Sequence, residues 1–258
     1  MRFSKKIAGI YVNALLLLNN LTFIAIFQIK YMCEKTAAED FLDFVGDRKF
    51  ATIVADPPWQ FQNRTGKMAP EHKRLSRYPT LDLQAIKDIP IQVAAEERAH
   101  LYLWVPNALL ADGLAVMDAW GFTYKSNLIW YKIRKDGGPD GRGVGFYFRN
   151  VTEIILFGVR GKNARTLQRG RSQPNIITTR KREHSRKPDE QYEIFEECSW
   201  GPYLELFSRG NRPGWTCWGN QADDYNISWE TYKNHSQASA ERQARILNIN
   251  PKLKKTAK

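Results

Sequence analysis

The chain has 258 residues, enough for one domain with a sizeable core or one domain plus a short extension. A hydrophobic fraction of 43% and an aromatic fraction of 12%, with eight tryptophans, point to a folded globular protein with a large core or a site that stacks flat rings. The net charge of +12 favours a polyanionic partner, nucleic acid or an anionic membrane surface, while three cysteines without a CxxC spacing exclude a regular disulfide framework and argue for a reducing, cytoplasmic setting. Four histidines, His72, His100, His184 and His235, show no metal-ligand spacing, so no metal is expected.

Residues 1–31 are mostly apolar from Ile7 to Ile29 and follow Arg2, Lys5 and Lys6. Three asparagines interrupt the run and no small-residue cleavage site is clear. They read as a dispensable extension rather than a membrane anchor, leaving a catalytic-type domain at 32–230 and a basic polar tail at 231–258. Phe50–Ala55 is a short apolar, β-branched run that predicts a buried strand. Residues 81–93 read as a helix broken by Pro90, and 100–105 as a second strand stopped by Pro106. Asn107 is placed to cap a helix reaching Trp120, with Gly121 as its stop. Strands are expected at 122–132 and 152–159, a helix at 188–197, and further strands at 203–207 and 215–218. This alternation predicts an α/β fold, a mainly parallel sheet with helices on both faces and ligands at the carboxyl ends of the strands.

Asp56-Pro57-Pro58-Trp59 directly follows the first strand. Each proline fixes its own φ and lacks an N–H, so the segment neither extends a sheet nor starts a helix freely. It predicts a rigid turn whose carbonyls are unpaired and point outward, closed by a flat aromatic ring. A plain post-strand turn with a buried tryptophan is the other reading. The arrangement suits methylation of an exocyclic amine, whose lone pair is delocalised. The Asp56 carboxylate and the Pro57 carbonyl would each accept an N–H and favour a pyramidal, increasingly positive nitrogen.

The segment resembles the catalytic motif of the MT-A70 family of N6-adenine methyltransferases. Two further stretches carry the resemblance. Arg186-Lys187-Pro188-Asp189-Glu190 matches a Lys-Pro-x-Glu segment ahead of a helix. Residues 204–221 match the cofactor segment, with Glu205-Leu206-Phe207-Ser208-Arg209, Gly214-Trp215 and Trp218-Gly219-Asn220. The three occur in the family's order over residues 50–221. The resemblance implies S-adenosylmethionine as cofactor and a circularly permuted, Rossmann-like methyltransferase sheet of seven strands, one antiparallel. It implies that Asp56 and Pro57 hold the amine, Pro58 fixes the turn and Trp59 packs on the base. Lys187 would meet the methionine carboxylate, and Glu205 would bond ribose or orient Lys187. Phe207 would pack on the cofactor, Arg209 and Asn220 would bind ribose, Gln221 would read the adenine edge and Asn211 would join them. Cys217 reads as a filler residue.

Ten basic residues against Glu183 alone between Arg160 and Lys187 suggest, with the basic 60–79 segment, a phosphate-tracking surface around the site. Phe146, Tyr147 and Phe148 are candidates to stack on an extruded base. DNA is favoured over RNA because the chain is nearly all catalytic domain; a homo- or heterodimer stays open, and membrane attachment is disfavoured. An RNA adenosine methyltransferase and a non-catalytic nucleic-acid-binding subunit are the alternatives. No cysteine follows a proline, which argues against cytosine-C5 chemistry.

Overall fold

The computed structural model of the chain describes residues 35–60, 80–140, 147–180, 186–220 and 222. The unit boundaries expected near residues 31 and 230 lie outside them. The described elements run α1 (Ala37–Val45), β1 (Phe50–Ala55), α2 (Leu83–Lys87), α3 (Ile91–Ala94), β2 (Ala95–Val105), α4 (Leu110–Ala119), β3 (Thr123–Ile133), β4 (Thr152–Arg160), β5 (Ile176–Arg180), α5 (Glu190–Cys198), β6 (Tyr203–Leu206) and β7 (Trp215–Trp218).

The seven strands form one sheet in the order β5-β3-β4-β2-β1-β6-β7. Only β4 opposes its neighbours; the other pairings are parallel. The first strand of the chain therefore lies inside the sheet, and late strands β6 and β7 build one flank. This is the permuted order that the early position of Asp56 implies. All six residues of β1 are buried, as a strand covered on both faces requires. Along β2 the side chains alternate between two cores. Leu101, Leu103 and Val105 face the layer of α1 to α4, whereas Tyr102 and Trp104 face α5.

Tryptophans tie the layers together, because a buried indole needs a partner for its N–H. Trp120 donates to the Ile86 carbonyl, Trp104 to Gln191, Trp130 to Thr179 and Trp218 to Asp40. Gly121 closes α4 at φ +78°, and the following N–H groups bond back to Asp118 and Met117.

Pro90 separates α2 from α3, as the sequence indicates, and Asp82 caps α2. Asn107 does not cap. Residues 107–109 form a 3₁₀ turn, and the Asn107 amide donates instead to the Thr152 carbonyl, joining this turn to the start of β4. Two elements were not anticipated. Thr36 and Glu39 form a reciprocal capping box that starts α1. β5 falls within the basic stretch from Arg160 to Lys187; as an edge strand it turns only Ile177 and Thr179 inward. Among the described residues no helix is long and apolar enough to cross a membrane.

Candidate active site

Six strands share one direction, so their carboxyl ends and the start of β4 meet along one edge. Asp56 lies there, one residue past β1. The turn that follows is rigid, but its carbonyls are paired. The Pro57 carbonyl accepts the Trp59 N–H at 2.8 Å, and the Pro58 carbonyl accepts the Leu81 N–H at 3.0 Å. Chain returning at Leu81 supplies the second donor. A carbonyl has two lone pairs, so Pro57 keeps acceptor capacity. Trp59 is 6% exposed and packs in the helix-side core, its indole N–H donating to the Trp104 carbonyl at 3.0 Å. Little of that side chain is left exposed to a base.

Asp56 opens a chain of alternating charge. The Lys187 ammonium is 2.8 Å from Asp56 Oδ2 and 3.4 Å from Glu153 Oε2. Glu153 also pairs with Lys132, which is buried. Each lysine lies over an indole, Lys187 over Trp104 and Lys132 over Trp130. Burial pushes the Asp56 carboxyl up, against the opposing pull of Lys187. Burial also works against the Glu153 carboxylate, yet Lys187 and Lys132 together hold it down at about 2. Lys187 is itself raised: desolvation opposes its charge, but Asp56 and Glu153 outweigh that. Glu153 and Lys132 escaped the reading of sequence. The signal was present, since each is a lone charge inside an apolar run and the β3–β4 ladder places them almost opposite.

β6 runs parallel beside β1 and pairs Glu205 with Val54, which sets Glu205 next to the Asp56 turn. Its carboxylate does not hold Lys187. It accepts the Tyr192 hydroxyl at 2.8 Å, while the Arg212 guanidinium stacks 3.5 Å above the Tyr192 ring and pairs with Asp189. Burial raises the Glu205 carboxyl to about 7; Arg212 and the Tyr192 hydroxyl oppose the shift, and Asp56 and Asp189 add to it. Beyond β6, Phe207 adopts φ +59°, a conformation costly for a bulky residue and a frequent mark of a functional turn. The turn is locked by the Ser208 N–H, which donates to the Trp218 carbonyl. A side chain at Gly219 would meet Ser208 N at 2.6 Å, so glycine alone lets these two segments touch. Glu205 lies within β6, Phe207 and Arg209 follow its end, and Asn220 follows the end of β7; Asn211 and Asn220 are exposed. Gln221 lies outside the described residues. Cys217 is half-buried, and burial pushes its thiol up. Tyr192 and Arg212 were not foreseen.

The described part of the basic stretch is divided between the two edges of the sheet. Arg180 and Arg186 lie at the Asp56 edge, whereas Arg160 ends β4 at the opposite edge. Tyr147 and Phe148 are 93% and 86% exposed; Phe146 and residues 61–79 lie outside the described residues. No three described His, Cys, Asp or Glu side chains form a set that could hold a metal ion.

The permuted sheet with an acid-bearing turn at its carboxyl edge defines a methyltransferase architecture, and comparison with known proteins names the group. The MT-A70 family model matches residues 50–221, two thirds of the chain, and the chain belongs to that family, whose methyltransferases use S-adenosylmethionine. A putative N(6)-adenosine-methyltransferase MT-A70-like protein of Medicago truncatula is 30% identical over 191 residues, 70% of this chain and 27% of its own. The type II methyltransferase M.MunI of Mycoplasma sp is 26% identical over 203 residues, covering 71% of this chain and 82% of that protein. The human N(6)-adenosine-methyltransferase catalytic subunit METTL3 is 30% identical over 183 residues, 69% of this chain and 29% of that protein. The chain therefore spans little more than a quarter of the adenosine-methyltransferase relatives it matches.

Proposed function

We propose that this chain transfers a methyl group from S-adenosylmethionine to the N6 amine of adenine in DNA. The observation that carries the reading is the pairing at the carboxyl edge: the Asp56 carboxylate held by Lys187, beside a proline-fixed carbonyl with one acceptor site in reserve. Two acceptors on a rigid turn orient an amine through its two N–H groups. Asp56 then lies where positive charge grows on the nitrogen, and its anion lowers the cost of that charge without reorganising. Lys187 opposes the upward push of burial on the Asp56 carboxyl and so favours its anion.

The donor residues fit the cofactor. Glu205 offers an acid of raised proton affinity to ribose hydroxyls, Lys187 and Arg209 are cations suited to a carboxylate or hydroxyl, and Phe207 and Asn220 follow the ends of β6 and β7 in the chain. The bound sulfonium supplies a methyl group already activated for attack. The remaining work falls to the protein: align the amine, exclude water and hold the developing charge.

DNA rather than RNA is supported by the type II methyltransferase match, which extends over most of that relative. The adenosine-methyltransferase relatives support RNA as the second reading. Transfer of tritiated methyl to DNA and RNA oligonucleotides, wild type beside Asp56→Ala, tests both. Label is expected on adenine N6 of DNA, with at least about a hundredfold loss in the variant. Undiminished transfer by Asp56→Ala overturns the mechanism, RNA-only labelling reassigns the polymer, and absence of cofactor binding by calorimetry points to a non-catalytic subunit.

A further inference from the structure

At the far edge of the sheet, where β2 begins and β4 ends, a cavity of about 500 Å³ is lined by Arg98, Asn163, Arg165, Thr166, Arg171 and Trp200, among others. No acid lines it. Three guanidiniums in one concavity repel one another, an arrangement that favours an anion between them.

The wall is rigid without a ligand. The Leu167 N–H donates to the Cys198 carbonyl at 2.8 Å, and Arg169 donates to the Glu196 and Glu197 carbonyls at the end of α5. The His100 ring bonds the Ala164 carbonyl at 3.0 Å. Arg98 stacks on Trp200 at 4.5 Å, and the His100 ring braces that indole. Arg171 donates its Nε to the Thr166 carbonyl, which uses one of its five N–H groups. A merely solvated basic loop has no need of such bracing. Preorganised, forked donors match phosphate oxygens.

We propose that this cavity is a phosphate-binding site, and that the phosphate belongs to the backbone of the nucleic acid whose adenine is methylated at the other edge. The second clause rests on the proposed function. Leu103 pairs with Ala55, next to Asp56, and Arg98 lies five positions earlier on β2, roughly 17 Å along the strand. β2 is buried from Ala99 to Val105, so a backbone crossing the surface covers at least that span, about five base steps or more of a duplex. A 24-mer with a central adenine reaches the cavity, and a hexamer stops short.

The test compares wild type with Arg98→Gln/Arg165→Gln, using labelled 24-mer and hexamer DNA in anisotropy and inorganic pyrophosphate in calorimetry. In the variant, 24-mer affinity should fall about tenfold and the slope of log K against log salt by about two. Hexamer binding and methylation should not change, and pyrophosphate heat should disappear. Arg165→Gln alone, which leaves the Arg98–Trp200 stack in place, should give about half the change in slope. Lost pyrophosphate binding with an unchanged 24-mer supports the site but assigns it to a free phosphate compound. Unchanged binding of both probes in a variant with the wild-type melting temperature overturns the proposal. The pyrophosphate arm needs no methyl transfer, so failure of the enzymatic reading is seen separately in the hexamer assay.

Discussion

Among the described residues, two of the buried polar networks on this sheet differ in kind. At the carboxyl edge Asp56, Lys187, Glu153 and Lys132 form a chain of four charges whose terminal acid is half-exposed. Toward the amino edge His100, Ser199 and Tyr102 form a neutral chain. Both ring nitrogens of His100 are used, and the Ser199 hydroxyl lies 2.7 Å from both His100 Nδ1 and the Tyr102 hydroxyl. Burial drives the His100 ring down to about 4 and the Tyr102 hydroxyl far up, so neither carries charge at neutral pH. The closed neutral network can only hold the fold together. The charged one leaves a carboxylate within reach of solvent, which is what chemistry requires.

Lys187 gives the largest expected break in that contrast. Lys187→Met strips Asp56 of its counter-ion while Lys132 still holds Glu153, and losing one member of a partly buried pair costs up to about 3 kcal/mol. Methyl transfer should fall at least about a hundredfold, because burial then pushes the Asp56 carboxyl up without the opposing charge of Lys187. Glu153→Gln should cost less of both, since Lys187 keeps Asp56. Equal damage from the two variants, measured by denaturation and single-turnover transfer, would refute a chain centred on Lys187.

The amino edge should respond to acid first. The folded value of His100 lies below its ordinary 6.5, so the unfolded chain binds the extra proton. This stability is complete above about pH 6.5 and drains as pH falls toward 4, by roughly 3 kcal/mol in all. The Glu153 contribution, held at about 2, is present above its ordinary 4.5 and drains only in the lower window. His100→Gln should flatten the first window and leave transfer per folded molecule unchanged. An unaltered acid slope between pH 6.5 and 4 would remove His100 from the account.

Much of the charged edge was legible because motif residues cluster in sequence: Asp56 to Trp59, Lys187, and Glu205 to Asn220. What completes it was not, because Glu153, Lys132, Tyr192 and Arg212 become neighbours only through strand pairing and the docking of α5. The central strands declared themselves as apolar runs. β5 did not, since an edge strand with Thr178 and Arg180 has too little apolar surface to stand out. The paired carbonyl of Pro58 depended on Leu81 returning from 23 residues away, which no local rule for proline anticipates.

Glu205 offers the finest discrimination, because it is charged-edge chemistry that works against the fold. Its folded value of about 7 stands above the ordinary 4.5. A raised acid binds its proton more tightly when folded, so ionising it destabilises the protein as pH rises from 4.5 through 7. Glu205→Gln keeps an acceptor for the Tyr192 hydroxyl and removes the charge. The variant should be more stable than wild type at pH 8 by about 3 kcal/mol, with almost no gain at pH 4.5. Cofactor affinity by calorimetry should nevertheless fall at least about tenfold, the usual exchange of stability for function at a site. A variant equally stable at both pH values would mean that Arg212 fully compensates the carboxylate, and Glu205 would then belong with the structural network rather than the chemical one.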